Sequence, residues 1–276
     1  MKDIIKRTIT GAVYVLSVIA ATCINKYVAA VYFGIIVLLG LKEFLQIGEA
    51  KGIKQNKILV YLSAVAVYST LMLFAWNQET YARILIYVSS ILILSLFVAS
   101  LYIKNKTPFT SLAYSLTSIV YIALPLGISN LVFEMQNDLN CNLLLAIFIF
   151  AWCNDTFAYL VGCKFGKNRL FERHSPKKSW EGFFGGLAGT ISAAFVLNAV
   201  YDNGIVIWLT IALVTTVIGT FGDLVESMFK RQMEVKDSGN ILPGHGGILD
   251  RFDILLLVLP AVWICLSLLG QFFPVF

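Results

Sequence analysis

The residues most able to do chemistry are gathered between Ser227 and Asp253. This stretch holds four acids, four bases, four glycines and His245, in a chain that is only 13% charged. Carboxylates are hard ligands that suit Mg²⁺, which usually takes one or two of them together with phosphate oxygens. Asp223, Asp250 and Asp253 bracket the stretch, so two helix ends could bring them together. Asp250 and Asp253 stand three apart and share a face if helical. Lys230, Arg231, Lys236 and Arg251 can neutralise phosphate charge. Gly244, Gly246 and Gly247 around His245 let backbone approach a ligand closely, and Pro243 punctuates the turn. G-x-G-G alone is a weak signal, but the full set of polar positions is not. It points to phosphate and metal chemistry at a membrane surface.

A second polar block runs from Gly162 to Gly186. It carries Lys164, Lys167, Arg169, Arg173, Lys177 and Lys178. Within it, Ser175-Pro176-Lys177-Lys178-Ser179 is expected to start a helix whose free N–H groups bind oxyanions, with the lysines adding point charge. The competing use is a basic loop that only sets topology. Asp155 and Asp223 lie inside or beside apolar runs. An ionised carboxylate there costs about 2.5–3.5 kcal/mol unless paired or coordinated, so each is either an interhelical polar contact or part of a metal or substrate site. Glu43, beside Lys42, is expected at a solvated helix end, and His174 at the membrane interface. Two histidines and five cysteines without a C-x-x-C do not indicate a zinc site, and the cysteines read as packing residues.

The elements that must position these groups are hydrophobic. The chain has 276 residues, 58% of them hydrophobic, and a mean hydropathy of +0.80. Soluble domains are about 45–50% apolar and about 25% charged, whereas about 20 apolar residues cross a bilayer. The expectation is an all-α, polytopic membrane protein of about nine spans, near 8–24, 27–47, 57–76, 83–103, 112–133, 142–162, 184–201, 205–226 and 252–273. It is read as a single membrane domain, with N-terminal helices over 1–140 and a catalytic half over 141–276. Asn25-Lys26 and Asp202-Asn203-Gly204 mark tight helical hairpins. The first span is expected to stay uncleaved, because no A-x-A site follows it before the next apolar run. With the N-terminus inside, 18 of the 21 lysines and arginines fall on inner segments, which places both polar blocks on the cytoplasmic face. The net charge of +5 suits an anionic lipid surface. Nucleic acid is not an expected partner, since no basic patch interleaves with exposed aromatics.

One pattern goes beyond composition. Ser227-x-Phe229-Lys230-Arg231-x4-Lys236-Asp237-x-Gly239-x2-Leu242-Pro243-x-His245-Gly246-Gly247-Ile248-x-Asp250-Arg251-Phe252-Asp253 resembles the signature of the phosphatidate cytidylyltransferases, or CDP-diacylglycerol synthases, without departure. Gly222-Asp223, Asp155-Thr156-x-Ala158-Tyr159, Gly166-Lys167 and Ser175-Pro176-Lys177-Lys178-Ser179-Trp180-Glu181-Gly182 resemble the same family. The likeness covers about Trp152 to Asp253, while the first 140 residues match in hydropathy only. The resemblance implies that CTP and phosphatidate give CDP-diacylglycerol and pyrophosphate, in a membrane-integral, Mg²⁺-dependent enzyme with a second, potassium-like cation. It implies Asp223 and Asp250 as metal ligands with Asp155 and Ser227 near the same centre, and Lys230 on phosphate. Asp253 is carried as a further catalytic candidate. Lys177, Lys178, Arg231, Lys236, His245 and Arg251 are carried as phosphate-binding candidates. A homodimer is implied by the family alone.

The residues agree with that chemistry. A phosphate monoester is already anionic near neutral pH, its second pKa being about 6, so no strong protein base is needed. The difficulty is bringing two polyanions together, which metal and clustered cations relieve. Acids at helix ends beside an inner loop suggest that the lipid enters sideways between helices. Two alternatives remain at this level: a CTP-dependent lipid or polyprenol kinase, and an ion-coupled transporter lined by Asp155 and Asp223.

Overall fold

The computed structural model describes residues 2–139, 141–244 and 246–272. His245 lies outside the described residues. In chain order the helices are α1 (Lys2–Cys23), α2 (Lys26–Ala50), α3 (Lys57–Ala75), α4 (Glu79–Ser100), α5 (Pro108–Ser118), α6 (Leu124–Leu139), α7 (Leu143–Phe165), α8 (Trp180–Tyr201), α9 (Ile205–Gln232) and α10 (Leu249–Phe272). Among the described residues, eight helical stretches are long and apolar enough to cross a membrane, and Arg7–Cys23 is a shorter apolar helix. The chain is therefore an all-α, multi-pass membrane protein, and its elements follow the nine expected spans.

The fifth span is continuous from α5 to α6 through a π-helical turn at Ile119–Ala123. Pro125 explains the turn: it has no N–H to give Tyr121, and its ring crowds that carbonyl, which widens the helix. The short breaks are capped as their residues require. Asn25 Oδ1 accepts from Val28 N at 2.9 Å, and Asn142 Oδ1 accepts from Leu145 N at 2.9 Å. At the α8–α9 turn Asp202 has φ 53° and Gly204 φ 85°, the left-handed geometry that reverses a chain quickly.

Two compact units divide the chain. The first comprises Met1–Glu134 and Met233–Phe252. Its helices are tied by tyrosines whose hydroxyls reach carbonyls of α2: Tyr68 Oη donates to Ala30 O and Tyr114 Oη to Phe44 O, both at 2.6 Å. In lipid, where apolar surface gains little by meeting apolar surface, such polar contacts and close packing hold helices together. The 233–252 segment belongs to this unit and is fastened to its helices. Thr10 Oγ1 donates to Pro243 O at 3.1 Å, and Tyr14 Oη to Arg251 O at 3.2 Å. Lys51 pairs with Glu234, and that bond holds the exposed Glu234 carboxyl below its ordinary range.

The second unit comprises Met135–Gln232 and Asp253–Phe276. Here α7 and α8 pack backbone to backbone. A Cβ at Gly182 would stand 2.9 Å from Ala158 O, so only glycine permits the approach, as in small-residue helix contacts generally. Thr190 and Thr216 join α8 to α9 through their hydroxyls at 2.7 Å.

Between α7 and α8 the chain makes a β-hairpin, β1 (Arg169–Phe171) with β2 (Ser175–Ser179), antiparallel and irregular in register. This corrects one expectation: Ser175-Pro176 does not open a helix. Pro176 disfavours the helical conformation of the residue before it, and the start of α8 moves to Trp180. Ser179 is the cap, its Oγ accepting from Gly182 N at 3.1 Å. Glu181 ties the hairpin to α8 by accepting from Lys167 N, Asn168 N and Asn168 Nδ2 at 3.1, 3.2 and 2.7 Å. His174 stacks on Phe171 with centroids 5.4 Å apart.

Candidate active site

A cavity of about 570 Å³ opens in the second unit. Four elements line it. From α7 come Asn154, Asp155, Tyr159 and Cys163; from the hairpin, Arg169, Lys177 and Lys178; from α9, Thr220 and Asp223. The close approach of α7 and α8 at Gly162 and Gly182 forms part of the wall, and Ser179 at the start of α8 completes it. Two acids thus share one polar chamber with three cations.

The charges are arranged locally. Asp223 Oδ2 pairs with Lys178 Nζ at 2.6 Å, both side chains about 30% exposed (32% and 28%). Asp223 Oδ1 accepts from Ser227 Oγ at 3.2 Å, one turn further along α9. Asp155 is exposed on the cavity wall, and Asn154, next to it, is buried with no hydrogen-bond partner for Oδ1 among the described residues. Asp253 stands within electrostatic reach of Glu226, Asp223 and Asp155. Lys230 pairs with Glu226, which is 1% exposed, across one helical turn.

Several expected site residues therefore meet. Asp155, Asp223, Lys177 and Lys178 line one cavity, Ser227 bonds to Asp223, and Asp253 and Lys230 belong to the same group of charges. Arg231 is exposed at the end of α9. Lys236, Asp250 and Arg251 belong to the first unit, where Lys236 and Arg251 are exposed. Asp250 Oδ2 accepts from Gly247 N at 2.7 Å, Ser238 N at 2.9 Å and Ser238 Oγ at 3.0 Å, so this carboxylate organises the loop before α10. The candidate at His245 lies outside the described residues.

Three residues escaped the sequence reading. Arg169 was one cation among six, with nothing to single it out. Glu226 had a usable signal, its i,i+4 spacing to Lys230. Glu43 was misplaced. It is 1% exposed rather than solvated, because backbone N–H groups of residues 248 and 249 converge on it. Its neighbour Lys42 suggested an interface, but those partners lie about 200 positions away in sequence.

The donors on the second unit fit a hard divalent ion completed by a ligand's own oxygens. Asp155 and Asp223 supply carboxylates to the same cavity, and Mg²⁺ usually needs only one or two from the protein. Among the described residues no three acids, histidines or cysteines converge closely enough to hold a metal unaided.

Comparison with known proteins shows what the chain is similar to. Over 262 residues the chain is 35% identical to the phosphatidate cytidylyltransferase of Staphylococcus epidermidis, covering 94% of this chain and 98% of that protein. The proteins of the same name from Staphylococcus haemolyticus and Staphylococcus aureus are 35% and 34% identical over the same coverage. The match includes the N-terminal helices that composition alone left without a role. The model of the cytidylyltransferase family matches residues 5–269, and with the cavity and the signature loop both inside that range, the chain belongs to this family.

Proposed function

We infer that this protein transfers CMP from CTP to phosphatidate, giving CDP-diacylglycerol and pyrophosphate. The observation that carries this reading is a mixed-charge cavity of about 570 Å³ lined by Asp155, Asp223, Lys177, Lys178 and Arg169, in a chain of the cytidylyltransferase family. A CTP-dependent kinase and an ion-coupled transporter are not favoured by the family or by the relatives' names.

In the reaction a phosphatidate oxygen attacks the α-phosphorus of CTP, the bond to the β-phosphate oxygen breaks, and pyrophosphate departs. Lys177, Lys178 and Arg169 neutralise the triphosphate, lowering the repulsion between two anions. Ser227 holds the Asp223 carboxylate in one orientation through its hydroxyl. Glu226 pairs with Lys230 across one turn of α9, and Lys230 would meet the lipid phosphate. Asp223 and Asp155 would hold Mg²⁺, and the ion would supply charge neutralisation and alignment at the α-phosphorus; Asp250 is carried as a metal ligand by resemblance to the family alone. A potassium-like cation and a homodimer are carried over from the family in the same way. The purified protein is expected to form CDP-diacylglycerol and pyrophosphate from labelled CTP and phosphatidate only with Mg²⁺ present. Release of CDP with a newly phosphorylated lipid would instead mean kinase chemistry.

The cation bias supports an orientation with both polar blocks in the cytoplasm, and the membrane is taken to be the cell's inner (plasma) membrane. Cys163 offers a test, being exposed and on the cavity wall. In a chain retaining Cys163 alone of its five cysteines, an impermeant maleimide should label inverted vesicles and not right-side-out ones, and CTP with Mg²⁺ should slow labelling several-fold. A chain retaining only Cys141 should resist the reagent, because burial pushes that thiol up to about 11 and leaves about one thiolate in a thousand at pH 8. Labelling of Cys163 indifferent to CTP would remove the nucleotide from this cavity.

A further inference from the structure

Glu43 lies on α2, far in sequence from every residue with an evident chemical task. Its carboxylate is 1% exposed and is gripped by the loop that precedes α10. Oε1 accepts from Ile248 N at 2.9 Å and Oε2 from Leu249 N at 3.0 Å, while Ser238 Oγ stands 3.1 Å from Oε2 with a single proton to share between this carboxylate and Asp250. Because α10 begins at Leu249, these N–H groups are among those a helix start leaves without intrahelical partners. Glu43 therefore caps α10 from another helix, with its negative charge at the positive end of the helix dipole. The loop is shaped around it: a Cβ on Gly247 would stand 2.5 Å from Oε2 and 2.7 Å from Oε1, so no side chain fits there.

Ser238 links this anchor to Asp250. Its hydroxyl lies 3.1 Å from Glu43 Oε2 and 3.0 Å from Asp250 Oδ2, and its N–H donates to the same Asp250 oxygen at 2.9 Å. Gly247, pressed against Glu43, donates to that oxygen as well. Each of these donors to Asp250 is thus held by a residue that Glu43 itself touches.

We propose that Glu43 is a positioning residue for CMP transfer: it fixes Ser238 and residues 247–249 so that Asp250 holds its carboxylate in one orientation. The proposal rests on Asp250 being an acid of the active site. Glu43→Gln keeps the size but offers one acceptor oxygen in place of two and turns an NH₂ toward an N–H donor. Small misplacements of a site group are costly to rate. In Glu43→Gln, kcat per correctly folded molecule, counted by gel filtration in detergent, should fall about tenfold with KM for CTP within about twofold. Amide exchange in a peptide covering 238–250 should quicken. The double variant with Asp250→Asn should be no slower than Asp250→Asn alone.

A normal kcat in Glu43→Gln overturns the proposal, and so does a loss of kcat without faster exchange in 238–250. Full multiplication of the two losses in the double variant would mean that Glu43 acts independently of Asp250, and overturns it too. If Asp250→Asn is itself fully active, the assignment of Asp250 to the site fails and the proposal with it. An inactive Asp250→Asn beside a normal Glu43→Gln removes only the role of Glu43.

Discussion

Asp223→Asn is expected to lower CMP transfer by about 10²–10³-fold, the usual cost of losing one charge-stabilising group at a reacting centre, while the protein stays folded and inserted. The exchange is isosteric, and the amide oxygen can still accept from Ser227 Oγ, now 3.2 Å from Asp223 Oδ1. The lost ion pair with Lys178 is partly open to solvent, and such pairs contribute only about 0.2–1 kcal/mol. Stability therefore changes little, but the negative charge that faces the cavity cations and would hold Mg²⁺ is gone. Initial rates over a range of CTP and Mg²⁺, set beside a melting curve in detergent, separate the two effects. Near-normal turnover would take Asp223 out of the reaction.

Asp250 should answer differently to two substitutions. Three donors converge on its Oδ2. Asparagine can turn its carbonyl to that point and keep them, though each bond to a neutral acceptor is about half as strong as one to a carboxylate. Alanine leaves buried donors without a partner, at about 1–3 kcal/mol each. Asp250→Asn is thus expected to melt near the parent and lose about 100-fold in rate, whereas Asp250→Ala should lose both activity and several degrees of melting temperature. Equal melting of the two variants would mean that the loop does not depend on this carboxylate. A fully active Asp250→Asn would leave Asp250 a purely architectural acid.

Much of this was legible in the amino-acid sequence because bilayers impose simple rules. Long apolar runs with asparagine or glycine breaks located the helices, with ends displaced by about six residues at most, since hydrocarbon tolerates little else. The acids Asp155 and Asp223 stood out because charge inside a span demands a reason. What stayed hidden depends on contacts between distant segments. Trp180 rather than Ser175 starts α8, because a hairpin consumes the residues before it. Glu43 carried a local pattern of an interfacial acid, and its partners at 238, 248 and 249 follow no sequence period. The N-terminal helices carried no motif at all, yet Thr10, Tyr14, Glu43 and Lys51 fasten the 233–252 segment.

That fastening has a consequence for biogenesis. Ser238, the earliest partner of Glu43 to be made, follows it by 195 residues. At about 5–20 residues per second a ribosome needs about 10–40 s to reach it. Throughout that interval Glu43 lacks the partners that bury it in the finished fold, and a chain stopped before residue 238 never acquires them.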